Sequence, residues 1–353
     1  MRERRQFIYL GWQGFNNFGD DLMHRMWQAA LADPLAVAAP AGRRGFVAAA
    51  PRFAAHRVRR VRTERVLLLG GGTTIGFADW ARRTRLAMAC FGARALVVAG
   101  AGAAASHDRF ALGLQAADWA KWRGMRDVAL FGVRGPLTQQ ECARHWRQTE
   151  VIGDPALLYP VYAPASPPPT PRGTIGVCLG ASPTSRFDVP AVAGAVTAYR
   201  SRHPDRPVRV LQLCDSDAAV AHALASRLKA PVIAFDGDVP TMMRAVAECS
   251  LLVSERLHGV VAAVALGVPA LPLAYATKCD DFWLSATGRL PTLRTGATGS
   301  QILEGMEKAA DPLLTEAVSR EVRVLQDRFK SAVDVLRQWQ EHRIDTQELV
   351  RHQ

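Results

Sequence analysis

Short apolar runs of β-leaning residues alternate with longer stretches of helical period, and this alternation constrains the fold more than any other feature of the chain. In the first half the runs fall at 7–11, 35–39, 66–69, 95–99, 128–133 and 150–152, with helical stretches at 21–31, 77–91, 110–122 and 136–146. Strand, helix and strand in succession give a parallel pair whose crossover helix covers one face of the sheet. The segment 160–171 is too rich in proline for a helix or a central strand and suits a stiff linker. The rhythm restarts at 174–179, 208–213, 232–235, 251–253 and 270–274.

The expected organisation is an N-terminal α/β domain over 1–159, a Pro-rich linker over 160–173, a second α/β domain over 174–310 and a C-terminal helix over 311–345. In that last segment Val318, Val322, Leu325, Phe329, Val333, Leu336 and Trp339 recur at steps of three or four, the pattern of one long amphipathic helix. Packing back onto the domains accounts for such a stripe; membrane contact or a partner helix are the alternatives.

With 49% hydrophobic and 22% charged residues, the chain of 353 is globular rather than disordered and long enough for two cores. A formal charge of +12 implies attraction to something anionic, whether nucleic acid, an acidic membrane surface or a phosphorylated metabolite. Much of the excess is early arginine, including Arg2, Arg4, Arg5, Arg43, Arg44, Arg52, Arg57, Arg59, Arg60, Arg62 and Arg65. A solvated basic surface explains it, and a docking face for anionic lipid is the competing reading. No spacing of a known nucleic-acid module accompanies these residues, which argues against nucleic acid. No apolar core of signal-peptide length follows the N-terminal charges, so a cytoplasmic location is expected, with peripheral contact at the inner face of a bacterial inner membrane as the variant. The six cysteines stand singly, without zinc spacing, and read as free thiols; no metal site is expected.

Four segments follow expected strands, where open α/β sheets bind ligands. In Gly14-Phe15-Asn16-Asn17-Phe18-Gly19-Asp20-Asp21 the aspartates either cap the coming helix or accept hydrogen bonds from a hydroxyl-rich ligand. Asn16, Asn17 and Asp20 are therefore candidate substrate contacts. Gly70-Gly71-Gly72-Thr73 offers close backbone approach, with Gly71, Gly72 and Thr73 as candidates, but it lacks the lysine of a phosphate-binding P-loop. The segment 100–105 imitates a dinucleotide fingerprint only loosely, and no nucleotide cofactor is expected from it. In Val133-Arg134-Gly135-Pro136, Arg134 precedes a helix start and suits an anion or a structural ion pair.

Ser254-Glu255-Arg256-Leu257-His258-Gly259 closes one apolar run and opens another, so it reads as a strand, a tight turn and a helix start. Arginine there can fork onto a phosphate or carboxylate, and histidine can give and regain a proton near neutral pH. A buried structural histidine is the bland alternative.

Together with Gly153-Asp154-Pro155-Ala156, Gly267-Val268-Pro269, Tyr275 and Lys278, these segments in this order resemble the polysaccharide pyruvyl transferase family. The resemblance implies two Rossmann-like domains in a GT-B-like arrangement. It implies transfer of the pyruvyl group of phosphoenolpyruvate to hydroxyls of a glycan or lipid-linked sugar acceptor, a precursor of a cell-surface polysaccharide or exopolysaccharide. Phosphoenolpyruvate would be a co-substrate, with no cofactor. The family's donor-binding residues fall on Arg134, Arg256 and Leu257 and its proposed general acid on His258, while Lys278 joins the candidate substrate contacts. An arginine from each domain would match the two anionic ends of the donor. Many relatives carry an acidic residue soon after the glycine triplet, whereas here the next acid is Asp79. A nucleotide-sugar glycosyltransferase of the same architecture and a non-catalytic glycan-binding or assembly protein are the competing readings.

Overall fold

The apolar runs form two parallel sheets, each with its own core. In the computed structural model the described residues are 4–31, 35–38, 63–105, 117–163, 173–181 and 187–345, with a few isolated positions near 51–58 and at 348–349. Arg2, the arginines between 43 and 62, residues 110–116 of the expected third helix and most of the Pro-rich segment lie outside them. The chain divides into two compact units that are discontinuous in sequence. The first comprises 1–13, 23–155 and 327–353, and the second 14–22 and 156–326.

The first unit holds β1 (Gln6–Gly11), β2 (Leu35–Ala38), β3 (Arg65–Leu69), β4 (Thr73–Ile75), β5 (Ala95–Ala103), β6 (Val128–Val133) and β7 (Glu150–Val151). The strands lie in the order β2-β1-β3-β5-β6-β7, and β4 pairs with β5. Chain order reverses between β1 and β3, so their carboxyl ends form the crevice where a sheet of this kind takes a ligand. Both glycine-rich segments, after Gly11 and after Leu69, start there. Ile8, Leu67, Leu69, Leu96 and Val98 are fully buried in one core with Trp80, Ala81 and Phe91 of the covering helix α2 (Ala78–Phe91), while α1 (Phe18–Ala30) begins in the second unit.

Two expectations are corrected here. The segment 100–105 is not a loop as far as Ala103, because β5 runs on through it. A register shift between Ala99 and Ala101, with Gly100 at φ +73°, lets the strand bend and continue against β4 and β6. The triplet Gly70–Gly72 is a bend that feeds β4, whose Thr73 pairs with Gly102. Past 110–116, the described helix in the expected third position is α3 (Trp119–Arg123); α4 (Pro136–His145) then follows β6.

The second unit holds β8 (Thr174–Cys178), β9 (Val208–Gln212), β10 (Val232–Ala234), β11 (Cys249–Ser254) and β12 (Ala270–Pro272), in the order β10-β9-β8-β11-β12. Its reversal falls between β8 and β11. Helices α5 (Tyr159–Tyr162), α6 (Val189–Arg202), α7 (Ala218–Leu228), α8 (Val239–Ala247), α9 (Leu257–Ala265), α10 (Thr277–Thr287) and α11 (Gly299–Ala309) follow in turn. Residues 159–162, at the start of the Pro-rich segment, are thus helical.

The last helix, α12 (Pro312–Gln340), forms where periodicity places it. Its apolar stripe is core: Val322, Leu325, Phe329, Val333, Leu336 and Trp339 are all buried. Within the first unit Phe329 meets Trp27 edge to face at 5.8 Å and Trp339 meets Phe7 at 6.2 Å. The Arg5 guanidinium lies 4.5 Å over the Trp339 ring. Each large side chain so buried contributes about 1.5–3 kcal/mol, which explains the stripe without a membrane. No helix among the described residues is long and apolar enough to cross one.

Candidate functional site

Arg256 and His258 stand where β11 gives way to α9, beside the reversal of the second sheet. Ser254 ends the strand, and its Oγ donates to the Arg256 carbonyl at 2.7 Å, tightening the turn. Arg256 is the N-cap of α9 with extended backbone (φ −72°, ψ 124°), and no side chain caps the helix. A helix start without a capping oxygen leaves peptide N–H groups directed at whatever occupies the crevice, a setting that favours an anion. Gly259 is required by its neighbour, since a Cβ there would sit 2.3 Å from Ser254 Oγ.

The Arg256 guanidinium is already engaged. Nε donates to Asp217 Oδ2 at 2.8 Å, Nη2 donates to Asp217 Oδ1, and Nη2 also reaches Ser216 Oγ at 3.2 Å. Among the described residues Nη1 makes no hydrogen bond. Burial alone would lower the Arg256 pKa, but the hydrogen bond and charge of Asp217 outweigh it and raise it, so the cation is permanent.

Glu255 is the second buried carboxyl of the site, 2% exposed. Its Oε2 accepts from the Gly180 N–H at 2.9 Å. The side chain borders a small apolar pocket lined also by Leu257, Pro272, Leu273 and Phe282. Burial pushes its pKa up to about 7, against the opposing pull of the Gly180 N–H and Arg256. Behind Asp217, burial and that carboxylate push the Cys178 thiol up to about 12, which keeps it neutral. All six cysteines are free, with Cys90 and Cys214 only half-buried.

His258, half-buried in the first turn of α9, rests on a glycine distant in sequence. A Cβ on Gly19 would lie 2.0 Å from its Nδ1, so no other residue at position 19 leaves the imidazole where it is. The candidate substrate-binding loop at 14–21 therefore belongs to the second unit. Phe18 N–H donates to the Leu213 carbonyl at 2.9 Å, Asn17 bridges Cys214, and Asn16 Nδ2 donates to Asp215 Oδ1. Asn16 takes φ +50° to do so. Asn17 Oδ1 accepts from the Gly19 N–H at 3.2 Å, so an asparagine makes the capping bond considered for the aspartates. Asp20 is half-buried in the first turn of α1, and Asp21 accepts from the Gly14 N–H at 2.7 Å. Leu257 is buried, and Lys278 sits 5.0 Å over the Tyr275 ring at the start of α10.

Arg134 occupies the matching junction of the first unit, between β6 and α4. Its side chain is 1% exposed, and Nη1 donates to Thr73 Oγ1 at 3.4 Å, which brings two of the candidate residues together. It lies against Gly102, where a Cβ would sit 2.2 Å from Nη2. The helix behind it starts at an uncapped Gly135 with Pro136 in the first turn. Gly71 and Gly72 take φ +126° and +71°, and a Cβ on Gly71 would lie 2.3 Å from Met23 Sδ. Backbone conformation favours glycine at both positions, and packing against Met23 adds to it at Gly71. No group of His, Cys, Asp and Glu among the described residues could hold a metal ion.

Asp217 is a member of the site that local sequence pattern does not signal, and the contact of Gly19 with His258 is equally hidden although its segment is singled out. Asp215-Ser216-Asp217 before an apolar helical run reads as a helix cap, and nothing nearby in sequence shows a guanidinium arriving from 39 residues away.

Solved structures of low sequence identity share the fold. The Staphylococcus aureus MnaA–UDP co-structure superposes with a TM-score of 0.63 at 10% identity, covering 98% of each chain. A structure described as a UDP-N-acetylglucosamine 2-epimerase from Listeria monocytogenes gives 0.65 at 9% identity, covering 97% of this chain and 98% of that one. At such identity the likeness shows a GT-B-like α/β fold and no activity. No curated protein matches the chain. The family model of polysaccharide pyruvyl transferases matches residues 17–277, a span that takes in Thr73, Arg134, Asp217, Arg256 and His258. By that match the chain belongs to the polysaccharide pyruvyl transferase family.

Proposed function

We propose that the chain transfers the pyruvyl group of phosphoenolpyruvate to two hydroxyls of a sugar, forming a pyruvate ketal on a glycan or lipid-linked precursor of a cell-surface polysaccharide or exopolysaccharide. The observation that carries this reading is the uncapped start of α9, which presents Arg256 and His258 within one turn at the reversal of a parallel sheet. Arg256 Nη1 and the first N–H groups of α9 would hold an anionic group of the donor, with Leu257 alongside. On the family resemblance, Arg134 would join the donor-binding residues.

His258 is the proton donor in this scheme. Its imidazolium protonates the methylene carbon of the donor, leaving a cation at the adjacent carbon. A sugar hydroxyl attacks that carbon and returns its proton to the imidazole. The bond from that carbon to the phosphate oxygen breaks, with its electron pair leaving on phosphate. The second hydroxyl closes the ketal, and its proton departs with phosphate, so one donor and one diol give one ketal and inorganic phosphate.

Purified protein supplied with phosphoenolpyruvate and a glycan acceptor is expected to release phosphate in step with ketal formation, and His258→Ala to lose at least about a hundredfold in rate. Phosphoenolpyruvate, but not UDP-N-acetylglucosamine, should raise the thermal midpoint. Stabilisation by the nucleotide sugar alone points to a glycosyltransferase, and glycan binding without any donor-dependent product to an assembly protein.

A further inference from the structure

We propose that Asp217 is the positioning residue of Arg256, clamping the guanidinium by its Nε–Nη2 side so that Nη1 alone is offered to an anion at the start of α9. This rests on Arg256 as a donor-binding residue and goes beyond it by fixing which edge binds and what holds it.

The clamp is built from three neighbouring strands. Asp217 follows β9, Gly180 and Ala181 follow β8, and Arg256 follows β11. The carboxylate and the guanidinium thus meet across the carboxyl end of β8. Asp217 is fully buried, and it is itself held, since its Oδ1 accepts from the Ala181 N–H at 2.9 Å. Gly180 leaves room for the crossing side chain: a Cβ there would lie 2.9 Å from Arg256 Nε. A guanidinium presents five N–H groups in two forked edges, one through Nε and one between its two terminal nitrogens. Asp217 takes the first edge, and Ser216 takes a share of Nη2. A two-pronged grip through Nε, natural for an isolated arginine, is therefore closed to the donor. The anion must approach end-on, from the Nη1 side.

The charge state of the pair makes the idea testable by sign. Asp217 neutralises Arg256, so if charge alone governed the site, removing the carboxylate would tighten binding of an anion. If position governs, removing it frees the guanidinium to rotate and binding weakens.

The experiment uses the full chain with phosphoenolpyruvate, and with inorganic phosphate as the simpler probe, in binding titrations of wild type, Asp217→Asn, Arg256→Ala and the double variant. The expected result is about tenfold or greater weakening in Asp217→Asn and no further loss when that change is added to Arg256→Ala. Unchanged or tighter binding in Asp217→Asn overturns the proposal, as does an equal loss in both backgrounds. Nitrogen-15 spectra of ligand-free wild type supply a check that needs no variant to fold. The Arg256 Nε–H should exchange slowly with water, and rapid exchange sinks the clamp. A slowly exchanging Nε–H in a protein that binds no phosphoenolpyruvate leaves the clamp standing and removes the functional reading instead.

Discussion

Glu255 enters the fold with one oxygen on the Gly180 N–H and its side chain beside an apolar pocket, where burial favours its neutral form. Its carboxyl titrates near 4.5 when unfolded and is pushed up to about 7 in the native protein. Between those values the folded chain binds more protons than the unfolded one, so stability falls as pH rises through that window and is lowest above it. The effect amounts to about 3 kcal/mol at most. Glu255→Gln should therefore flatten the decline of the thermal midpoint between about pH 5 and pH 8, even if the new amide lowers stability overall. A decline as steep as that of wild type would show that Glu255 is not the titrating group. Gly19→Ala probes the other half of the site. The added Cβ would fall 2.0 Å from His258 Nδ1, so the imidazole must move. On the proposed chemistry, kcat for phosphate release should fall about tenfold or more while phosphoenolpyruvate still binds. Equal kcat in the two proteins would deny His258 its role or its seat. Arg256 and His258 are legible in sequence because they lie two positions apart at one strand–helix junction. Asp217 and Gly180 are not, because the order of strands in the sheet, rather than spacing along the chain, brings them there; Gly19 stands in a segment that pattern singles out, but its contact with His258 is not legible.

The elements that pattern reveals best are those whose own side chains carry the burial. The runs at 66–69 and 128–133 are rich in Val, Leu and Phe and become β3 and β6, and the three-and-four repeat after Leu314 becomes α12. The extension of β5 through Gly100-Ala101-Gly102-Ala103 was invisible, since glycine and alanine carry little β preference and the strand is held there by β4 and β6 on its flanks. The same contrast sets what mutation of α12 should do. Phe329 and Trp339 are fully buried against Trp27 and Phe7, so Phe329→Ala or Trp339→Ala should each cost about 3–5 kcal/mol in denaturant unfolding. Val324 on the same helix is 50% exposed, and Val324→Ala should stay within about 0.5 kcal/mol. Small losses at the two aromatic positions would return the stripe to the membrane or partner reading.

At the scale of the whole molecule, the basic excess and the site act over different distances. The chain carries a formal charge of +12, yet at the start of α9 Arg256 is neutralised by Asp217 and flanked by Glu255. Net charge at that point is therefore not what selects a ligand; directed N–H groups within hydrogen-bond reach are. The surplus cations elsewhere can still draw an anionic donor toward the protein through their summed field. Salt separates the two contributions, because the screening length falls from about 10 Å at 0.1 M to about 3 Å at 1 M, while a hydrogen bond inside the crevice is shorter than either. On the proposed chemistry, added salt should raise KM for phosphoenolpyruvate and leave kcat unchanged, the steering being lost and the grip kept. A matching fall in kcat would place the surplus charge at the reacting groups themselves, and an unchanged KM would mean that the basic surface plays no part in gathering the donor.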